Sequence, residues 1–252
     1  MENKTIKKFV EKFNENRSET HHRYASFDLC FNYFHENRGR LTKDMEKSCC
    51  VLWSYLASWG MLRGSTLLLQ KNPAYLAELV EFIDSKECDK IFGIDIDKYD
   101  EGGIEEIMQI YVRIEEILKC EKDDNDKERK PTLTLITKIM LGVFGCIPAY
   151  DQYFCNTFKE LMPGRKFDST RLNPESLIAI SKFYEDNQKE IEDFAKNTHT
   201  IDIFSTGKYP SAPYTKAKII DMYGFSVGQA KARAEKKAKA EREAAAKAAS
   251  KK

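Results

Sequence analysis

Three charged residues stand inside otherwise uncharged, largely apolar stretches of this chain. Arg63 lies in a block that runs from Val51 to Gln70, and Lys138 and Asp151 lie in a second block from Leu133 to Phe154. A charge in an apolar stretch either reaches out to water or is held by a partner, because burying an unpaired charge is costly. These three residues are therefore the first candidates for a binding or catalytic site.

The second block predicts a helix, a turn and another helix. Lys138 falls on the first helix, Gly145 and Pro148 mark the turn, and Asp151 opens the second helix. In one interpretation Asp151 only caps the free amide groups of that helix start and Lys138 is exposed. In the other, the two side chains pair across the turn in a pocket beside Tyr150. The amine would then be a nucleophile or a phosphate contact, and the carboxylate would orient it or act as a base.

The arrangement of helix, turn and Pro-aromatic-Asp resembles a region of the helix-hairpin-helix DNA glycosylases, in which a lysine and a later aspartate flank the site. The resemblance covers about twenty residues. It implies a helical protein directed at nucleic acid, with Lys138 and Asp151 as the catalytic residues. The chain as a whole is similar to a bacterial cytoplasmic helical protein.

The first block offers a possible binding residue in Arg63. Gly60 and Gly64 flank this arginine and allow another backbone or a ligand to approach closely. An arginine held there, four residues after Trp59, can fork onto a phosphate or a carboxylate. The alternative is that Arg63 bridges two helices through an internal acidic partner.

Lysines near the end of the chain are candidates for contact with phosphate. Lys216 and Lys218 lie at the start of a helix that is predicted to end near Gly224, where they either bind phosphate or are only solvated. Residues 229–252 carry nine basic and three acidic side chains, and this net charge of +6 either attracts nucleic acid or only aids solubility. Rich in Ala, Lys and Glu, this tail is predicted to be helical or disordered. Its Glu-Ala-Ala-Ala-Lys string is also typical of synthetic spacers.

Composition limits the classes of function. Residues 1–228 carry 32 basic and 37 acidic side chains, and this net charge of −5 argues against a broad nucleic-acid-binding surface on the body. Seven cysteines without a Cys-x-x-Cys pair indicate free thiols in a reducing cytoplasm and predict no metal site. No cofactor is predicted. The charged N-terminus predicts no signal peptide, and the lack of a long apolar run predicts no membrane partner.

Helical periodicity predicts an all-α fold, a compact domain of roughly ten helices with little or no sheet. Apolar residues recur every three or four positions from Ile104 to Leu118 and again from Leu177 to Phe194, where Asn173-Pro174 forms the helix start. The globular domain is predicted to span residues 1–228, with a possible internal boundary at the charged loop 121–131.

Two classes of function follow. The first is a cytoplasmic, nucleic-acid-directed protein, possibly glycosylase-like, whose cleft is lined by Arg63, Lys138 and Asp151. The second is a non-enzymatic interaction protein, in which the same charges form a buried network that fixes the fold. A protein partner or a homo-oligomer is compatible with the second class.

Overall fold

The computed structural model describes residues 6–64, 66–119, 130–167, 170–207 and 211–249. Ten α-helices and several short 3₁₀ segments make up these ranges, together with one isolated antiparallel bridge between His199 and Pro213. The predicted all-α fold is therefore confirmed. The helices are α1 (Ile6–Asn14), α2 (Ser26–Glu36), α3 (Met45–Ser58), α4 (Ala77–Ile83), α5 (Glu101–Ile117), α6 (Leu133–Phe144), α7 (Gln152–Leu161), α8 (Pro174–Asp186), α9 (Gln188–Asn197) and α10 (Lys216–Ala249).

Helix α6 lies in the core because it is apolar on nearly every face, with Thr134, Thr137 and Lys138 as its polar residues. Thr132 caps its start by accepting the Leu135 amide, and every residue from Leu135 to Phe144 is buried. Such a helix is stable only where other helices cover it on all sides. Helices α2, α3 and α5 pack around it, so the ammonium of Lys138 is carried into the interior of the domain.

Helix α10 packs along α7, and Gly228 makes that approach possible. A Cβ atom at Gly228 would overlap the backbone of Tyr153, so a larger residue would push the two helices apart. The close approach places the ring of Tyr153 5.5 Å from that of Phe225, centroid to centroid. The start of α7 and the middle of α10 thus come together beside the C-terminal end of α3.

Two helix boundaries differ from the sequence predictions. The apolar pattern from Leu177 to Phe194 belongs to two helices that meet at Asn187, whose side chain donates to the Phe183 carbonyl and ends α8. The last helix does not end near Gly224 but continues to Ala249, since the residues after Gly228 are strong helix formers. It therefore crosses position 228 without a break.

The possible boundary at residues 121–131 falls mainly on 121–129, which lie outside the described residues. Within the described ranges, no helix has both the length and the apolar character needed to cross a membrane.

Candidate functional site

A pocket of about 320 Å³ opens where the ends of α3 and α7 meet α6 and α10. Its lining combines three cationic side chains, one carboxylate and four aromatic rings. Larger depressions elsewhere on the described surface, along α5 and at the α8–α9 junction, are lined mainly by exposed charged side chains. The residues that line this pocket are Arg23, Tyr24, Trp59, Gly60, Met61, Arg63, Thr134, Lys138, Asp151, Gln152, Tyr153, Phe225 and Gln229.

Trp59 forms the aromatic wall of the pocket. Helix α3 ends at Ser58, and the indole of the next residue packs 4.8 Å from the ring of Tyr24 and 5.8 Å from that of Phe225. The indole Nε1 is buried and has no hydrogen-bond partner among the described residues. A buried N–H without an acceptor costs about 1–3 kcal/mol, so an acceptor supplied by a ligand would stabilise it.

Lys138 lies at the floor of the pocket with its ammonium incompletely bonded. Its side chain is 4% exposed, and its Nζ lies 4.5 Å from the centre of the Trp59 ring. The shortest hydrogen bond that Nζ makes is 3.4 Å long and goes to the Trp59 carbonyl, while the nearest Asp151 oxygen is 3.8 Å away. Ammonium groups normally bind oxygen at about 2.7–2.9 Å and have three N–H donors. The Lys138 amine therefore has donor capacity left for a ligand.

Asp151 combines the two roles that the sequence offered as alternatives. Its Oδ1 accepts the Phe154 amide at 3.0 Å and caps α7, while its Oδ2 faces the Lys138 ammonium. Thr134 and Thr137 of α6 fix the preceding turn by bonding the Tyr150 carbonyl and amide, each at 2.9 Å. The carboxylate is thus held by local structure and remains 14% exposed on the pocket side.

Burial drives both members of this pair toward their neutral forms. Removal from water lowers the pKa of Lys138 below the usual lysine range, although Asp151 and Asp221 oppose that shift. Removal from water likewise raises the pKa of Asp151, although the Lys138 ammonium opposes it. A lysine with a depressed pKa beside a carboxyl group with an elevated one is an arrangement suited to proton transfer or nucleophilic attack.

A second lysine–aspartate pair lies behind Trp59, in the core. The Nζ of Lys218 is 3.0 Å from Asp221 Oδ2, and both side chains are at most 2% exposed. The other oxygen of Asp221 accepts the Ala149 amide at 3.1 Å. The Lys218 ammonium also lies 4.9 Å from the centre of the Trp59 ring. Trp59 therefore contacts a lysine of the pocket and a lysine of the core.

Arg63 and Arg23 supply positive charge at the exposed side of the pocket. Gly60 and Gly64 adopt positive φ values of +78° and +60°, so the turn that carries Arg63 depends on residues that tolerate this conformation. Arg63 is exposed and takes part in none of the ion pairs found among the described residues. Those residues therefore do not supply the internal acidic partner that the alternative interpretation requires. Arg23 lies over the ring of Tyr24, 4.8 Å from its centre.

Three predicted site residues lie away from the pocket lining. The hydroxyl of Tyr150 is buried and donates to Ser176. Lys218 is buried in the core, and Lys216 is 22% exposed and pairs with Asp95 and Asp97. Of the two alternatives, simple solvation is wrong for both lysines, because carboxylates pair with them. Their contact with phosphate stays a prediction.

The structure brings Trp59, Arg63, Lys138 and Asp151 together, as the pocket hypothesis requires. It adds residues that the sequence analysis missed, namely Arg23, Tyr24, Tyr153, Phe225 and Gln229. Asp221 carried a usable signal, since it is an isolated charge in the apolar run from Ile219 to Tyr223, three residues after Lys218. Apart from Trp59, the aromatic rings of the pocket carried none, because they come from segments far apart in the chain.

Comparison with known proteins identifies no relative of the chain, since no family model, curated protein or solved structure matches it.

Proposed function

We propose that this protein acts on nucleic acid and that the pocket holds one unpaired nucleotide. The observation that carries the proposal is the meeting of Arg23, Arg63 and Lys138 with four aromatic rings in one opening. Aromatic side chains stack on nucleobases, and arginines bind phosphate by charge-assisted hydrogen bonds. A ligand that has both a ring and a phosphate uses both halves of this lining.

The charge distribution supports an unpaired nucleotide rather than an extended duplex. Residues 1–228 carry a net charge of −5, so the body as a whole repels a polyanion. At the pocket mouth, two exposed arginines lie close to the rings and supply local positive charge. Lys138 and Asp151 are too deeply buried to reach a base within a stacked duplex, so a base must leave the stack to meet them.

The chemistry proposed for the floor follows from the Lys138–Asp151 pair. In its neutral form the Lys138 amine can attack the sugar carbon that bears the base, and the bond between sugar and base breaks as the new bond forms. Asp151 is placed to take the proton that the amine releases and to return it to the departing base. This is the pair that the resemblance to helix-hairpin-helix glycosylases implies, and a glycosylase-like reaction is the proposed activity. The chain has no Gly-x-Gly hairpin for duplex phosphate, which again favours an unpaired substrate.

A second candidate function is a non-enzymatic interaction protein whose buried charges only fix the fold. The observation in its favour is that Asp151 already has a structural task as the cap of α7. The long contacts of Lys138 oppose it, because a purely structural pair gains most from a short hydrogen bond.

The test is binding of labelled single-stranded DNA, double-stranded DNA and RNA to the full chain across a salt series. We expect Arg63→Gln to weaken single-strand binding about 10-fold or more and to reduce the salt slope by about 0.7. Arg165→Gln is the matched control, because Arg165 is exposed and does not line the pocket. Equal effects of the two variants, or no binding by wild type, would refute the proposal.

A further inference from the structure

The C-terminal part of α10 continues outward from the pocket. Phe225 and Gln229 line the pocket and lie four residues apart, on one face of the helix. The same face continues through Arg233 and Lys236, four and seven residues after Gln229. Both side chains are exposed. The pocket and these two cations therefore lie along one line on a single rigid element.

The ion pairs of this helix distinguish these two cations from their neighbours. Lys231 pairs with Glu160, Lys237 with Glu241 and Lys239 with Glu243. Among the described residues, neither Arg233 nor Lys236 has a carboxylate within ion-pairing distance. The first acidic residue on their face is Glu243, fourteen residues after Gln229. The cations nearest the pocket on this face are thus available to an external anion.

We propose that Arg233 and Lys236 form a track for the phosphate backbone of a single strand whose unpaired nucleotide occupies the pocket. This inference rests on the proposed function and extends it by specifying that the ligand is a strand of several nucleotides. The ligand is an oligonucleotide that leaves the pocket along α10, and each of the two cations meets one phosphate. A mononucleotide fills the pocket but leaves the track empty.

The geometry sets the length of strand that the track requires. Lys236 lies seven residues beyond Gln229, which is about 10 Å along a helix that rises 1.5 Å per residue. At about 3.4 Å per stacked nucleotide, a strand must extend about three nucleotides beyond the pocket to reach it. Affinity is therefore expected to rise from about two to about four nucleotides, which are the pocket nucleotide and the three beyond it, and then to level off.

The experiment measures binding of labelled single strands of about 2, 4, 6 and 12 nucleotides to the full chain, with the length scale set by the helix rise. The test variant is Arg233→Gln with Lys236→Gln. The control is Lys231→Gln with Arg242→Gln, which also removes one lysine and one arginine charge, but from the opposite face of the helix. We expect the test variant to lose the gain with length and to reduce the salt slope for the 12-nucleotide strand by about 1.4. The control variant should keep most of the gain in affinity with length and most of the salt slope.

The other possible results distinguish a failure of the track from a failure of the pocket proposal. Equal losses in the two double variants, or tighter binding of duplex or of anionic phosphatidylserine vesicles than of a single strand, would overturn the track. If two-nucleotide strands bind and Arg63→Gln weakens that binding about 10-fold or more, the pocket proposal holds whatever the track does. If only long strands bind, and the binding depends on Arg233 and Lys236 but not on Arg63, the two cations bind phosphate without a nucleotide in the pocket. Both the pocket proposal and the track as proposed are then overturned.

Discussion

The molecule buries two lysine–aspartate pairs on either side of one tryptophan, and the two pairs are built differently. Lys218 and Asp221 lie three residues apart on α10, at 3.0 Å, and the second oxygen of Asp221 is bonded to the Ala149 amide. Lys138 and Asp151 come from different helices and stand 3.8 Å apart at the floor of a pocket. Trp59 contacts the lysine of each pair.

A structural buried charge differs from one that is available to a ligand in how completely its polar groups are bonded within the protein. A fully buried ion pair is tolerated only when its polar groups are satisfied within the protein. The core pair meets that condition for both oxygens of Asp221. The pocket pair does not, because the Lys138 ammonium makes only long contacts and its carboxylate partner is partly open to solvent. The core pair is therefore expected to stabilise the fold, and the pocket pair is the one proposed to contact a ligand.

The largest expected effect comes from breaking the core pair. Asp221→Ala should lower the free energy of unfolding by about 3–5 kcal/mol, because it leaves the Lys218 charge buried without a partner. For a chain of this size the melting temperature should fall by about 10 °C. Thermal and urea unfolding measure both quantities.

The control for that experiment replaces both members of the core pair by apolar side chains. Lys218→Met combined with Asp221→Leu should recover most of the lost stability, because no unpaired charge remains. If the double variant is as unstable as Asp221→Ala, the buried charge is not the cause. The Ala149 contact would then account for the loss, and the contrast between the two pairs would disappear.

Removing the pocket lysine should affect binding more than stability. Lys138→Met is expected to weaken single-strand binding about 10-fold, equivalent to about 1.4 kcal/mol. It should cost no more than about 1 kcal/mol of unfolding free energy, the size of the lost contact with the Trp59 ring. Lys159→Met is the matched control, since Lys159 is exposed on α7. A large loss of stability in Lys138→Met would make both pairs structural.

The two roles of Asp151 can be separated by two substitutions. Asp151→Ala removes the cap of α7 and should cost about 1 kcal/mol in urea unfolding. Asp151→Asn retains an oxygen for the Phe154 amide, so it should lower the free energy of unfolding by only about 0.3 kcal/mol. It also removes the charge that faces Lys138. Equal losses in the two variants would show that the charge, rather than the cap, is what stabilises the fold.

The smallest expected effect is on the titration of Lys138. Its pKa should lie below 10.5 in the folded protein, and Asp151→Asn should lower it further by removing the main opposing charge. Because the folded state binds this proton less tightly than the unfolded chain, stability should rise with pH between the lowered pKa and 10.5. Amine-specific labelling of Lys138 as a function of pH measures the shift. An unchanged pKa in Asp151→Asn would show that the two groups are not coupled.

Local sequence determined the parts of the fold that depend on neighbours along the chain. The periodicity around Ile107 and Tyr111 predicted α5, and Asn173-Pro174 predicted the start of α8, where the Asn173 side chain caps the Ser176 amide. Asp151 likewise caps α7 through the Phe154 amide three residues later. Such contacts close within one helical turn, so the residue types at those positions are sufficient to specify them.

Which charges meet and which remain open depends on contacts between segments far apart in the chain. Lys138 contacts the Trp59 carbonyl 79 positions away, and Asp221 bonds the Ala149 amide 72 positions away. Helical periodicity shows that a face is apolar but does not specify which other face will cover it. For that reason the sequence could single out Arg63 and Lys138 as isolated charges. Helix packing alone determined that Arg63 faces solvent and that Lys138 forms the floor of a pocket. It also determined that Lys218 is buried behind Trp59, the tryptophan that both lysines contact.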